Sequence, residues 1–275
     1  MYPELFEMGP FTLHAFGAMM AAGFLAALYA MRRLSRAGFG GLDDDQLARM
    51  LVWLMIGGVA GARTAYVVEH WSSEFAAQPS QIIRIDQGGL VFYGGVLGGI
   101  AAVFLFARLQ RRPALQVLDL CAAALPLGHA FGRLGCFLNG CCHGAVHEGA
   151  AAVCYPAGSL PWRAQLAAGD ISAAAAQSAP VWPTQLIEAA ANLALFAAMC
   201  FLAKRHPRHG TVTAAYLMLY AAIRFHTEFL RGDARMSVGP FSIGQFISLL
   251  LFGAGAGLLW FQGYSARRQA ERGAG

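Results

Sequence analysis

FTLHAFGAMMAAGFLAALYAM, residues 11–31, contains no Asp, Glu, Lys or Arg, and it ends against Arg32, Arg33 and Arg36. About 20 predominantly apolar residues in a row is what an α-helix needs to cross the hydrocarbon of a bilayer. The pattern recurs at 49–68, 89–108, 115–135, 184–203, 211–230 and 244–262. The whole chain is 57% hydrophobic and 13% charged, whereas soluble proteins carry about a quarter charged residues. Lipid admits only helices or closed barrels, and no run shows strand alternation. The expected fold is therefore an all-α integral membrane protein. Its seven transmembrane helices would form a bundle, a single membrane domain over residues 1–275.

The basic residues orient the bundle. Thirteen of the 20 Lys and Arg follow the first, third, fifth and seventh runs: Arg32, Arg33, Arg36, Arg49, Arg108, Arg111, Arg112, Lys204, Arg205, Arg208, Arg267, Arg268 and Arg272. The other face has only Arg84, Arg163, Arg231 and Arg235. Cytoplasmic loops carry the Lys/Arg excess, so the N-terminus is expected outside and the C-terminus in the cytoplasm. Residues 139–183 then form the larger extracytoplasmic loop. Its Ala- and Ser-rich part, AAGDISAAAAQSAP, is expected to be partly flexible. Glu4 and Glu7 precede the first run without a Lys or Arg, so no cleavable signal peptide is expected. The net charge of +5 is absorbed by this asymmetry, and nucleic acid is not an expected partner. Thr12 and Ser242 fit helix N-caps, the latter with Gln245 in a capping box.

Three arginines remain within the apolar runs or at their ends: Arg63, Arg133 and Arg224. An intramembrane charge costs about 3 kcal/mol or more and is a functional hypothesis by default. Arg63, in GGVAGARTAYV, admits a structural reading and a direct one. Arg133 is flanked by Gly132 and Gly135, which would let a ligand approach. Arg224, Glu228 and Arg231 are spaced i, i+4, i+7 and are expected on one helix face. Arginines on two different helices suit a phosphate, because the guanidinium fork makes bidentate, charge-assisted bonds. That favours a lipid phosphate. His129 lies one turn before Arg133 on the same face. Tyr93, in GGLVFYGGVLGG, reads either as an interfacial anchor or as part of a cavity wall.

Cys121 and Cys200 fall in apolar runs and read as packing residues. Cys136, Cys141, Cys142 and Cys154 cluster outside them. No C-x-x-C pair has a matching second half, so the zinc signal is weak and no metal is expected. The oxidising face of a membrane favours disulfides. Cys141 and Cys142 are adjacent and would be strained as a pair, which leaves Cys136 or Cys154 as partners.

Five stretches together resemble the prolipoprotein diacylglyceryl transferases: MGPFTLHAFGAM, GARTAYV, GGLVFYGG, GRLGCFLNGCCHG and RFHTEFLRGD. PTQLIEA at Pro183 is a weaker sixth match. The resemblance implies a bacterial inner-membrane enzyme. It would move the diacylglyceryl group of phosphatidylglycerol to the lipobox cysteine thiol of a preprolipoprotein and release glycerol 1-phosphate. Arg133 and Arg224 would hold the lipid phosphate. Asn139 would share their pocket, Glu228 would orient Arg224, and Arg63, Gly132 and Gly144 would contribute to substrate binding. No cofactor is implied. The chain departs from the common family pattern at four places. Tyr93 stands where a histidine is frequent, Phe16 where tyrosine is, Cys136 where asparagine is, and Cys141 where glutamate is. A tyrosine, with a pKa of about 10, is a poor base at neutral pH. Proton removal then falls to Tyr93, His129 or His143, or does not depend on that position.

Overall fold

The computed structural model describes residues 4–8, 11–85, 88–233 and 237–273. A short antiparallel hairpin opens the chain, β1 (Glu4–Met8) against β2 (Phe11–His14), with a bulge between Glu4 and Phe6. The long helices follow in order: α1 (Ala15–Arg36), α2 (Asp44–Glu69), α3 (Phe92–Leu109), α4 (Ala114–Asn139), the short α5 (Leu160–Ala168), α6 (Thr184–Ala203), α7 (Thr211–Thr227) and α8 (Ile243–Gly273). A second small hairpin, β3 (Ser237–Val238) with β4 (Phe241–Ser242), precedes α8.

Among the described residues six helices, α1, α2, α3, α4, α6 and the Ile243–Ser265 part of α8, are long and apolar enough to cross a membrane. They leave large side chains uncovered: Leu25 is 66% exposed, Leu97 69% and Trp260 73%. Water-facing protein surfaces rarely expose so much contiguous apolar area, whereas lipid solvates it. The chain is a multi-pass membrane protein. The expected run at 211–230 is helical as α7 for 17 residues and continues as a 3-10 turn, Glu228–Leu230.

Local chemistry sets several boundaries. The Asp43 carboxylate accepts from the Gln46 amide at 2.7 Å, and the Gln46 side chain accepts from the Asp43 amide at 3.1 Å. This capping box starts α2. Ser242 and Gln245 repeat it at α8, at 3.2 and 3.1 Å, as the sequence indicates. Thr12 is not a helix cap: it lies in β2, and α1 begins at Ala15. The two hairpins are too short to leave an alternation signature.

The chain forms two compact units. Residues 31–120 make one, and residues 1–30 with 121–275 make the other. In the first, α2 and α3 meet through Gly57-x-x-x-Gly61 and Gly94-x-x-x-Gly98. A Cβ on Gly61 would lie 2.3 Å from the Gly94 carbonyl oxygen, and one on Gly98 2.1 Å from that of Gly57. Small residues at this spacing let membrane helices approach backbone to backbone. In the second unit, a Cβ on Gly23 of α1 would come 3.0 Å from the Gly128 carbonyl of α4. Likewise Gly255 of α8 leaves room for the Ala214 carbonyl of α7, 2.8 Å from its would-be Cβ.

Residues 139–183 are more ordered than the composition suggests. Ser159 caps α5 and Gly169 closes it in the left-handed region, φ 82°. The Ala/Ser-rich stretch is tied down on both sides: the Trp162 indole donates to the Ala175 carbonyl at 2.8 Å, and the Ala179 amide to Gln165 Oε1 at 2.7 Å. Tyr155 donates its amide to Ser178 Oγ at 2.9 Å. Satisfied backbone groups replace the expected flexibility.

Candidate active site

The second unit gathers four buried or half-buried charges from three helix ends. Arg133 lies near the C-terminus of α4, Glu188 in the second turn of α6, Arg224 in the last turn of α7 and Glu228 just after it. Arg133 Nε meets Glu188 Oε2 at 2.6 Å, and Arg224 Nη1 meets Glu188 Oε1 at 3.3 Å. Arg224 Nη2 meets Glu228 Oε2 at 2.7 Å. The Ser242 hydroxyl, at the start of α8, donates to Glu228 Oε1 at 2.7 Å. A Cβ on Gly244 would touch that carboxylate at 2.9 Å, so a glycine there lets the helix entry close over it.

Two cations balance two anions, which is how a buried ionic cluster becomes tolerable in a low dielectric. The exposures are unequal. The carboxylate side chains are 3% and 2% exposed, while Arg133 keeps 13% and Arg224 17%. The carboxylates are enclosed and the arginine side chains keep part of their surface, so the accessible part of the cluster belongs to its cations. Arg133 uses Nε on Glu188. The His129 ring stands 5.3 Å from the Tyr220 ring, beside both arginines.

Glu188 is the functional candidate that spacing along one helix could not reveal. Its signal was the PTQLIEA match, whose residues also hold the neighbouring loop. Thr184 Oγ1 donates to the Cys142 carbonyl at 2.8 Å, and Gln185 Nε2 to the Cys141 carbonyl at 2.8 Å. The loop continues through Gly144, whose amide donates to the Trp182 carbonyl at 3.1 Å. A Cβ there would lie 2.4 Å from Trp182 Cβ and 2.9 Å from the Leu230 carbonyl, so only glycine fits between the two segments. Gly132 is freer, since its would-be Cβ meets Met20 Sδ at an ordinary 3.5 Å.

Arg231 does not stay with Arg224 and Glu228. The helix tightens into the 3-10 turn after Thr227, and Arg231 forms a bidentate pair with Asp233 at 2.9 and 2.5 Å. Burial works against its charge, but Asp233 and the nearby Cys142 outweigh it and raise its pKa. Asn139 ends α4 and lines a cavity of about 390 Å³ with Pro156, Ser159, Leu160 and Arg163. It also hydrogen-bonds Cys141. Arg63 and Tyr93 belong to the other unit. There the Arg63 guanidinium donates to the carbonyls of Gln81, Ile82, Gly88 and Gly89 at 2.6, 2.8, 2.9 and 3.1 Å. Tyr93 is exposed, with its ring 5.6 Å from that of Phe92.

The cysteines are free thiols, and the expected disulfide is not formed. Instead the sulfurs of Cys136, Cys141 and Cys142 lie within 4.8 Å of one another. Hydrogen bonds from the other two thiols hold the Cys142 pKa below the ordinary thiol value against burial, helped by Arg231 and Arg133.

With this geometry in view, comparison with known proteins is decisive. The family model for prolipoprotein diacylglyceryl transferase matches residues 3–261. The chain belongs to that family. Relatives called phosphatidylglycerol–prolipoprotein diacylglyceryl transferase share a third or so of their residues with it. The one from Pseudoalteromonas translucida (strain TAC 125) is 32% identical over 276 residues, 98% of this chain and 97% of its own. Those from Synechococcus elongatus and Nitratidesulfovibrio vulgaris (strain DSM 19637 / Miyazaki F) are 32% and 33% identical, over 95% and 94% of this chain and 88% and 92% of theirs. The arginine–glutamate cluster thus lies in a member of the diacylglyceryl transferase family, built from its GRLGCFLNGCCHG, PTQLIEA and RFHTEFLRGD segments.

Proposed function

We propose that this protein transfers the diacylglyceryl group of phosphatidylglycerol to the thiol of a lipobox cysteine in preprolipoproteins, releasing glycerol 1-phosphate. The observation that carries this reading is the pair of partly accessible arginines held by one enclosed carboxylate, Glu188. Arg133 and Arg224 bind the phosphate diester of the lipid. As the thiolate sulfur attacks the glyceryl carbon, the carbon–oxygen bond to phosphate breaks and its electron pair moves onto the phosphate oxygen. The arginines stabilise that growing charge, the kind of preorganised electrostatic help that usually dominates catalysis. Glu228, fixed by Ser242, orients Arg224. Asn139 and Gly144 shape the loop beside the phosphate site, Gly132 leaves space next to Arg133, and Arg63 contributes by bracing the backbone at Gln81, Ile82, Gly88 and Gly89. The proton of the thiol passes to solvent as the thiolate forms.

The protein sits in the bacterial inner membrane, with α7 as a seventh span, the N-terminus outside and the C-terminus cytoplasmic. The site then opens to the outer leaflet, where the excess of basic residues is lowest. The test is a transfer assay in nanodiscs holding labelled phosphatidylglycerol and a lipobox peptide. Label appearing on the peptide cysteine with release of glycerol phosphate is the expected result. Tight phospholipid binding without any transfer overturns the reading in favour of a lipid-binding protein of the same fold.

A further inference from the structure

The three clustered thiols are not used by the reaction just described, and their geometry is specific. Cys136 is on the last turn of α4. The helix closes when the Gly140 amide donates to the Cys136 carbonyl at 2.8 Å, with Gly140 at φ 79°. Cys142 then adopts φ 60°, a left-handed conformation that non-glycine residues rarely adopt. Thr184 and Gln185 of α6 grip the carbonyls of Cys142 and Cys141 and hold that conformation. The result is three sulfurs, contributed at i, i+5 and i+6, all within 4.8 Å of one another. Sulfurs sharing one ion at about 2.3 Å stand about 4 Å apart, so closing the triangle needs only a small contraction. Arg231 hydrogen-bonds Cys142, and Arg133 lies close to both Cys136 and Cys142. Three thiolates around a divalent ion carry one net negative charge, and these two guanidinium groups lie beside it.

From this geometry we infer that Cys136, Cys141 and Cys142 form a site for a thiophilic d10 cation such as Zn2+, beside the phosphate-binding arginines. Three soft sulfur ligands select Zn2+ or Cu+ over the hard cations. A zinc ion with three protein ligands keeps a fourth position for water or substrate. Resting on the transfer reading above, that position takes the acceptor thiol. A thiol bound to zinc is deprotonated outright, so its proton passes to solvent and the sulfur is delivered as a thiolate. It then attacks the glyceryl carbon, the carbon–oxygen bond to phosphate breaks, and the neutral thioether formed is a weaker ligand that leaves.

The test uses the full chain, reduced and metal-free, in detergent. Titration with Co2+ should give one ion per chain, with an intense sulfur-to-cobalt charge-transfer band that Zn2+ abolishes. Adding a lipobox peptide should shift the band, whereas a Cys→Ser peptide should not. Cys136→Ser and Cys142→Ser should each weaken Co2+ binding by more than about 100-fold, beyond the loss that changes to the ligands' hydrogen-bond partners bring; Cys200→Ser should not. If the serine variants do not fold, the same point is read in the wild type, where Zn2+ should protect the three thiols from alkylation and leave Cys154 reactive. Reduced, folded protein that takes up no Co2+ overturns the site, as does a native disulfide among the three. Transfer that survives complete metal removal overturns thiol activation by the ion. Metal binding with no transfer upholds the site and breaks the functional reading instead.

Discussion

Arg63 and the pair Arg133/Arg224 look alike in the sequence, each a cation in an apolar run, yet the structure treats them differently. Arg63 spends its guanidinium on four backbone carbonyls of the segment after α2, with the Phe75 ring beneath it at 5.3 Å. Its hydrogen-bonding capacity is nearly exhausted inside the fold. Arg133 and Arg224 instead share a buried carboxylate and keep part of each side chain accessible. Burial of charge is common to both regions. What would separate a brace from a binding site is whether donors remain after the protein has satisfied itself.

The largest expected effect tests the open pair. Arg133→Ala or Arg224→Ala should lower transfer by at least about 100-fold, the scale of losing a transition-state donor. Arg224→Lys should rescue little, because an ammonium cannot bridge Glu188, Glu228 and a phosphate at once. Full activity in either alanine variant, measured in phosphatidylglycerol nanodiscs, breaks the comparison at its functional end.

Glu188→Gln should cost about 10- to 100-fold, mostly in kcat, since a misplaced clamp loses alignment more than encounter. Because Glu188 acts through the arginines, Glu188→Asp should recover part of the loss while shifting KM little. Equal activity in wild type and Glu188→Gln would mean the arginines position themselves.

Arg63→Ala tests the other region. Its carbonyl partners would lose their donors, and thermal unfolding in detergent should show a loss of about 3 kcal/mol. Transfer per folded molecule should stay near wild type. A stable variant with no transfer would move Arg63 into the substrate site. Gly98→Ala, in the same unit, should destabilise by about 1–3 kcal/mol through overpacking against the Gly57 carbonyl. The smallest effect is expected for Tyr93→Phe. Removing a general base costs about 100-fold or more, and the transfer rate should fall by far less than that if the thiol is activated elsewhere.

Much of this protein was legible before any coordinates. Apolar run lengths located six of the long helices and most of α7, since the bilayer imposes one length on every span. The Ser242–Gln245 capping box was readable because it is local. Hairpins of two to five residues were not, because so short a strand has no periodicity. The order of residues 139–183 was missed for a different reason: composition suggests flexibility, but hydrogen bonds from Trp162, Gln165 and Ser178 decide it.

By itself, the sequence determined that the chain lives in a membrane, that its charges concentrate near helix ends, and that Arg133 and Arg224 are worth suspecting. These follow from solvation and from spacing within one helix. Only the tertiary structure decided that Glu188 joins them, that Arg231 turns away to Asp233, and that three cysteines with no recognisable ligand spacing bring their sulfurs together. The first and last depend on how separate segments pack, and the second on a local change of helix pitch. α4, α6 and α7 converge around Glu188, a 3-10 turn redirects Arg231, and a left-handed Cys142 gripped from α6 closes the thiol cluster. Such contacts are fixed by three-dimensional geometry that no one-dimensional period encodes.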